Sequence, residues 1–112
     1  MAEHAALLEA IDRILNRGGE PDDVLRQIVA VVHRAYPYAA IAFVEEGQLV
    51  VGPEAGEAVE AAGFPIAYRG SKVAELRAGG AEIDRAFLER VALLVSPYCL
   101  VGWDTGGEPW QP

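Results

Sequence analysis

Residues 64–95 read FPIAYRGSKVAELRAGGAEIDRAFLERVALLV, and their pattern sets the fold class. Residues 64–69 read as a strand, Arg69-Gly70 supplies a tight turn, and residues 71–78 read as a second strand. Gly79-Gly80 then releases the chain. From about residue 82 to 96, Ile83, Phe87, Val91 and Leu94 recur at helical spacing, with Leu88, Ala92 and Val95 widening the apolar face. Glu82 and Asp84 fall at the positive end of this helix, and Arg85 and Glu89 stand one turn apart, placed to pair. Pro97 either kinks the helix or ends it.

Upstream, residues 3–17 form a first amphipathic helix with Leu7, Leu8, Ile11, Ile14 and Leu15 on one face, closed by Gly18-Gly19. A second helix starts at Pro21, with Asp22 and Asp23 where the dipole favours negative charge. Val24, Leu25, Ile28, Val31, Val32 and Ala35 make its apolar face, and Pro37 stops it. Residues 39–46 then read as a strand, with Ile41 and Phe43 on one side and Ala40, Ala42 and Val44 on the other. A connection at Gly47 leads to a second strand at 48–52. Residues 53–63 are a loop with room for a short helix at 57–62. The order α-α-β-β-β-β-α predicts an α+β domain: an antiparallel sheet of four to six strands with the N- and C-terminal helices packed on one face.

A chain of 112 residues fits a single domain over residues 1–112 and can bury roughly two thirds of its unfolded surface, enough for a core without disulfides. Nine basic against seventeen acidic residues give a net charge of −8. That balance opposes nucleic-acid binding, which needs clustered cations, and docking on anionic membranes. One cysteine, Cys99, forms no internal disulfide and fits a reducing cytoplasm. No apolar run is long enough to span a membrane.

The ordered set Pro65-Ile66, Gly70, Ala74, Leu76 and then Phe87 through Val95 resembles the GAF domains, small intracellular sensor modules that bind ligands or dimerise. The resemblance covers about residues 21–96, preceded by the 3–17 helix and followed by a 97–112 tail. Ala74 stands where the family usually has glycine. The long segment that covers the family's ligand pocket shrinks here to about residues 53–63. The resemblance implies a non-enzymatic sensory or regulatory domain, without a cofactor, that binds a small molecule or mediates dimerisation in signalling. It also implies a homodimer built on terminal helices, with Leu7, Ile11 and Ile14 at the interface. A structural dimerisation module with no ligand is the alternative, and a thiol-dependent reductase a lesser one. A PAS- or profilin-like sheet is the alternative fold.

Alternation along 71–78 places Ala74 and Leu76 under the helices and Glu75 on the opposite face. Grouping Phe43 and Glu45 from the first strand, and Ile66 and Tyr68 from the third, with Glu75 yields a candidate ligand pocket. The competing reading is a half-solvated face with cross-strand Glu–Arg pairs. Cys99 has no histidine near it in sequence and reads as a small buried hydrophobe. His4 and His33 lack a metal-ligand partner at helical spacing; His33 reads as a solvated helix-end residue. In the tail, residues 98–103 form a short strand or a last helical turn. Trp103 and Trp110 flank a Gly-rich turn whose Asp104 and Glu108 repel phosphate, so the two tryptophans are expected to dock on the body or on a second subunit.

Overall fold

The computed structural model describes residues 2–57, 60–80 and 82–99. Three helices, α1 (Ala2–Arg17), α2 (Pro21–His33) and α3 (Arg85–Val95), accompany four strands, β1 (Tyr38–Glu45), β2 (Gln48–Gly56), β3 (Ala61–Tyr68) and β4 (Ser71–Gly79). A single 3₁₀ turn, Ser96–Cys99, follows α3. The strands form one antiparallel sheet in the order β2-β1-β4-β3. This is the α+β architecture expected from the order of the elements.

Both hairpins close through two residues with positive φ: Glu46 (52°) and Gly47 (79°), and Arg69 (53°) and Gly70 (82°). Two successive left-handed residues make a type I′ turn, whose twist matches that of the strands it joins. Glycine in the second place of each turn takes that conformation without steric cost.

Directly paired residues in an antiparallel sheet share a face, so the registers reveal the core. One row runs Val50–Phe43–Ala74–Ile66, and another joins Ile41, Leu76 and Phe64. The row at the other end is entirely alanine: Ala55, Ala39, Ala78 and Ala62. On this face α2 lies against β1 and β2, and α3 against β3 and β4. The α2 residues Val24, Leu25, Ile28, Val29, Val31 and Val32 are all buried, more than one helix face can bury against a sheet alone. The surplus meets α1, which packs chiefly on α2 and forms an outer layer.

Three expectations need correction. Strand β2 continues past residue 52 to Gly56, because a bulge opposite Ala40–Ala42 sets Gly52-Pro53 out of the ladder and pairing resumes at Glu54. The helix expected at 57–62 is not seen at the described positions: Ala61 and Ala62 already pair with Gly79 and Ala78 in the sheet, while residues 58 and 59 lie outside the described residues. Helix α3 begins at Arg85 instead of near residue 82, since Asp84 caps it by accepting the Phe87 amide at 3.1 Å. The α-helix ends at Val95, ahead of Pro97. The third and fourth strands otherwise match expectation within a few residues.

Phe43 is 1 % exposed in the middle of the sheet. Replacing it by alanine is expected to remove about 3–5 kcal/mol of stability, read as a lower urea midpoint. Ala78→Leu, which adds bulk to the alanine row, is expected to cost about 1–3 kcal/mol. A neutral Ala78→Leu would show that the row has spare volume.

Candidate functional site

The helices cover one face of the sheet. Among the described residues, no element packs on the other. Its rows follow from the same registers: Leu49–Val44; Val51–Ala42–Glu75–Pro65; Glu54–Ala40–Arg77–Gly63; and Gly56–Tyr38–Gly79–Ala61. Tyr38, Ala40 and Ala42 are nevertheless buried on this face, at 4, 0 and 0 % exposure, although Tyr38 stands between Gly56 and Gly79 in its row; the exposed hydrophobics of the face lie toward the β1–β2 turn.

The predicted pocket does not assemble. Phe43 and Ile66 lie under the helices, opposite Ala74, whereas Glu75 is on the open face opposite Ala42 and Pro65. Glu45 is exposed beside the first turn, paired with Gln48. A bulge between Ile66 and Ala67 leaves Tyr68 opposite Ser71 at the second turn, with the Arg69 guanidinium 5.3 Å from its ring centroid. Alternation within a strand tells which residues share a side, but not which side meets the neighbouring strand's core side. One signal was present in β1: Ile41 and Phe43 are far larger than Ala40 and Ala42, and the larger set seeks the core.

Charge on the open face is internally satisfied. The Arg77 Nε–H donates to Glu75 Oε1 at 2.8 Å, and Lys72 Nζ donates to Glu75 Oε2 at 3.3 Å. The Glu–Arg pair expected for a half-solvated face is therefore present, within one strand instead of across two. Partial burial alone pulls the Glu75 carboxyl upward, but its bonds to Arg77 and Lys72 outweigh that and hold it below the usual value. The carboxylate lies over Gly63, where a Cβ would come within 2.7 Å of it. In the next row the Tyr38 hydroxyl donates to Glu54 Oε2 at 2.7 Å. Burial, and then this bond to Glu54, push the Tyr38 hydroxyl to about 12. Beside these polar groups sits an apolar patch: Val44, Leu49 and Val51 are 38, 38 and 40 % exposed.

A second polar cluster was not legible in sequence, because its members lie up to 80 positions apart. His4 Nδ1–H donates to Asp84 Oδ2 at 2.7 Å, and the His4 ring stacks on Phe87 at 4.5 Å between centroids. The Asp84 backbone N–H donates to the Tyr36 hydroxyl at 3.0 Å. This clasp ties the start of α1 to the start of α3. At the far end of α1, the Tyr98 hydroxyl reaches the Leu15 carbonyl at 3.5 Å. His33 is half-buried, and its Nδ1–H donates to the Tyr36 carbonyl at 2.9 Å, closing the α2 terminus.

The predicted interface residues Leu7, Ile11 and Ile14 are 6, 0 and 7 % exposed, spent inside their own chain. Leu7, Ile11 and Ile14 thus complete the fold of one molecule, while Leu8 and Leu15 beside them are partly buried. Cys99 is buried, which pushes its thiol to about 12, so the thiolate needed for nucleophilic chemistry is scarce at neutral pH. Trp103 and Trp110 lie outside the described residues. Among the described residues, no group of three or more His, Cys, Asp or Glu is placed to hold a metal ion, and no helix is long and apolar enough to cross a membrane.

Two pH limits follow. The Asp84 carboxyl is held below its ordinary value of 3.8, first by the Phe87 amide and then by His4. A lowered acid contributes stability above its unfolded value and loses it as pH falls through the folded one. Acid unfolding followed by circular dichroism is therefore expected below about pH 4, and Asp84→Asn should weaken that dependence while retaining a helix cap. An acid midpoint unchanged by Asp84→Asn would remove the clasp from the explanation. At the alkaline side, Cys99 rises from 9.0 to about 12 and Tyr38 from 10.0 to about 12. Raised groups stabilise below their unfolded values and cease to as pH climbs, so stability should decline between about pH 9 and 12. In the same experiment a thiol reagent should label Cys99 only after denaturation.

Comparison with protein-family models, curated proteins and solved structures finds no match to this chain.

Proposed function

We propose that this chain is a GAF-like regulatory binding domain of the cytoplasm, non-catalytic, whose working surface is the open face of its sheet. The observation that carries this reading is the one-sided covering of the sheet. Helices α2 and α3 occupy one face, and the other keeps Val44, Leu49 and Val51 partly in water beside a fixed array of Tyr38, Glu54, Glu75 and Arg77. A face that no described helix covers, with apolar and charged residues at set positions, is suited to binding. The shortened connection between β2 and β3 leaves only residues 57–60 to lie across it, too few for the lid that GAF-like sensors place there.

A structural dimerisation module without a small-molecule ligand is the second reading, favoured by a specific feature. The polar groups of the open face already bond one another, Tyr38 to Glu54 and Arg77 and Lys72 to Glu75. A small polar ligand would have to break those bonds to make its own, whereas a broad apolar contact leaves them in place. The thiol-reductase alternative is opposed by the burial of Cys99 and its raised thiol.

Amide chemical-shift mapping tests the surface. Spectra recorded on titration with a panel of nucleotides, amino acids and metabolites, and across a dilution series, are expected to change at Val44, Leu49, Val51, Glu54 and Arg77. Changes confined to α1, α2 and α3, or none under any condition, would overturn the assignment of the open face.

A further inference from the structure

We infer that the turn end of the β1–β2 hairpin, on the open face, docks a short cationic and apolar polypeptide segment of a partner protein. The inference rests on the reading of that face as the working surface, and names its partner.

The site is set by what remains in water. Among the described residues, four large hydrophobics are notably exposed, and three of them, Val44, Leu49 and Val51, adjoin on the open face. Val44 pairs directly with Leu49, and Val51 pairs with Ala42 in the next row. The fourth, Leu93, stands alone on α3 at 67 % exposure. Tyr38, Ala40 and Ala42 are already buried, so the free apolar surface of this face is the three aliphatics near the turn. Contact falls on the face and not on the edge, because Pro53 and its bulge interrupt the ladder of edge strand β2.

Charge selects the partner. Residues 35–68 contain Glu45, Glu46, Glu54, Glu57 and Glu60 but no Lys, Arg or His. All of these glutamates are exposed, and none is in an ion pair among the described residues. Two of them bracket the aliphatics: Glu46 in the turn at one end, and Glu54 past the bulge at the other. The cations of the sheet lie on its other half. Lys72 and Arg77 are on β4, bound to Glu75, and Arg69 sits over Tyr68 at the β3–β4 turn. An apolar stretch between uncompensated carboxylates complements a segment whose apolar residues are flanked by lysine or arginine. The same charge repels nucleic acid, anionic lipid and, at a net −8, a second copy of this chain.

Size sets the strength. From Gln48 to Glu54 the strand rises about 20 Å, the reach of roughly six or seven extended residues. Three partly exposed side chains offer far less than the ~1,000 Å² of a stable protein interface, so the contact is transient, with a dissociation constant on the order of 100 μM.

Amide chemical-shift titration of the full chain reads both affinity and place. The probe is a capped peptide with paired lysines at each end of a Leu-Ser-Leu-Ser-Leu centre. Shifts are expected at Val44, Leu49, Val51 and Glu54, and binding should weaken as salt rises from about 50 to about 500 mM. Leu49→Ser with Val51→Ser, and separately Glu46→Gln with Glu54→Gln, should each lower affinity about fivefold or more. Glu9→Gln with Asp12→Asn removes the same charge from exposed positions of α1 and should leave affinity unchanged. All three variants should keep the wild-type circular dichroism spectrum.

A chain that ignores the peptide up to about millimolar concentration overturns the inference. So does one that binds equally well with glutamate in place of lysine or serine in place of leucine, or that keeps its affinity in either hairpin variant. A loss in the α1 variant equal to that of the glutamate variant overturns it too, since net charge alone is then at work. Where the peptide fails but the same amides respond to a metabolite, the inference falls and the working-surface reading stands. Shifts confined to the helices, with peptide and metabolites alike, sink both.

Discussion

The pairing of β1 with β4 is the constraint on which the rest of the molecule depends. These central strands join the two hairpins, and their register sets Ile41 opposite Leu76 and Phe43 opposite Ala74. That alignment gathers the large side chains of the sheet onto one face, where α2 and α3 bury them. A slip of one residue would move every side chain of one strand to the wrong side. The same register, followed on the other face, lines up Ala42 with Glu75 and Ala40 with Arg77. Core and candidate surface are therefore two consequences of one alignment.

Layering explains the use made of the amphipathic helices. Helix α2 is buried on two sides, by the sheet and by α1, and so Leu7, Ile11 and Ile14 of α1 are consumed within the chain. What sequence presents as a dimerisation stripe is the third layer of a single fold. The clasp of His4, Asp84, Tyr36 and Phe87 works at the start of that layer. Asp84 serves α3 by accepting the Phe87 amide and serves α1 by accepting His4, so one carboxylate fixes two helix termini. Neither histidine of the chain is a bare surface group.

Much of the fold was legible because its signals are local. The apolar spacing from Phe87 to Val95, the glycine pairs at 18–19 and 79–80, and Arg69-Gly70 each report on a few neighbouring residues, and the elements lie close to where those signals put them. Element ends were less legible. Strand β2 runs through Pro53 only because a bulge in its pairing with β1 removes the proline from the ladder, and that bulge depends on the partner strand. The start of α3 was misread because Glu82, Ile83 and Asp84 fit a helical pattern, while the Asp84 side chain caps the helix from outside it.

By itself, the sequence determined the element types, the α+β class, the absence of a strong cationic surface, the buried character of Cys99, and the facing of Ala74 and Leu76 toward the helices. Tertiary structure alone decided that Phe43 and Ile66 join that core and leave Glu75 on the other side, that Leu7, Ile11 and Ile14 are internal, and that His4 meets Asp84. The physical reason is range. Periodicity within an element follows from backbone geometry and needs only adjacent residues, whereas register between strands and docking between helices are settled by how all the apolar surfaces pack at once.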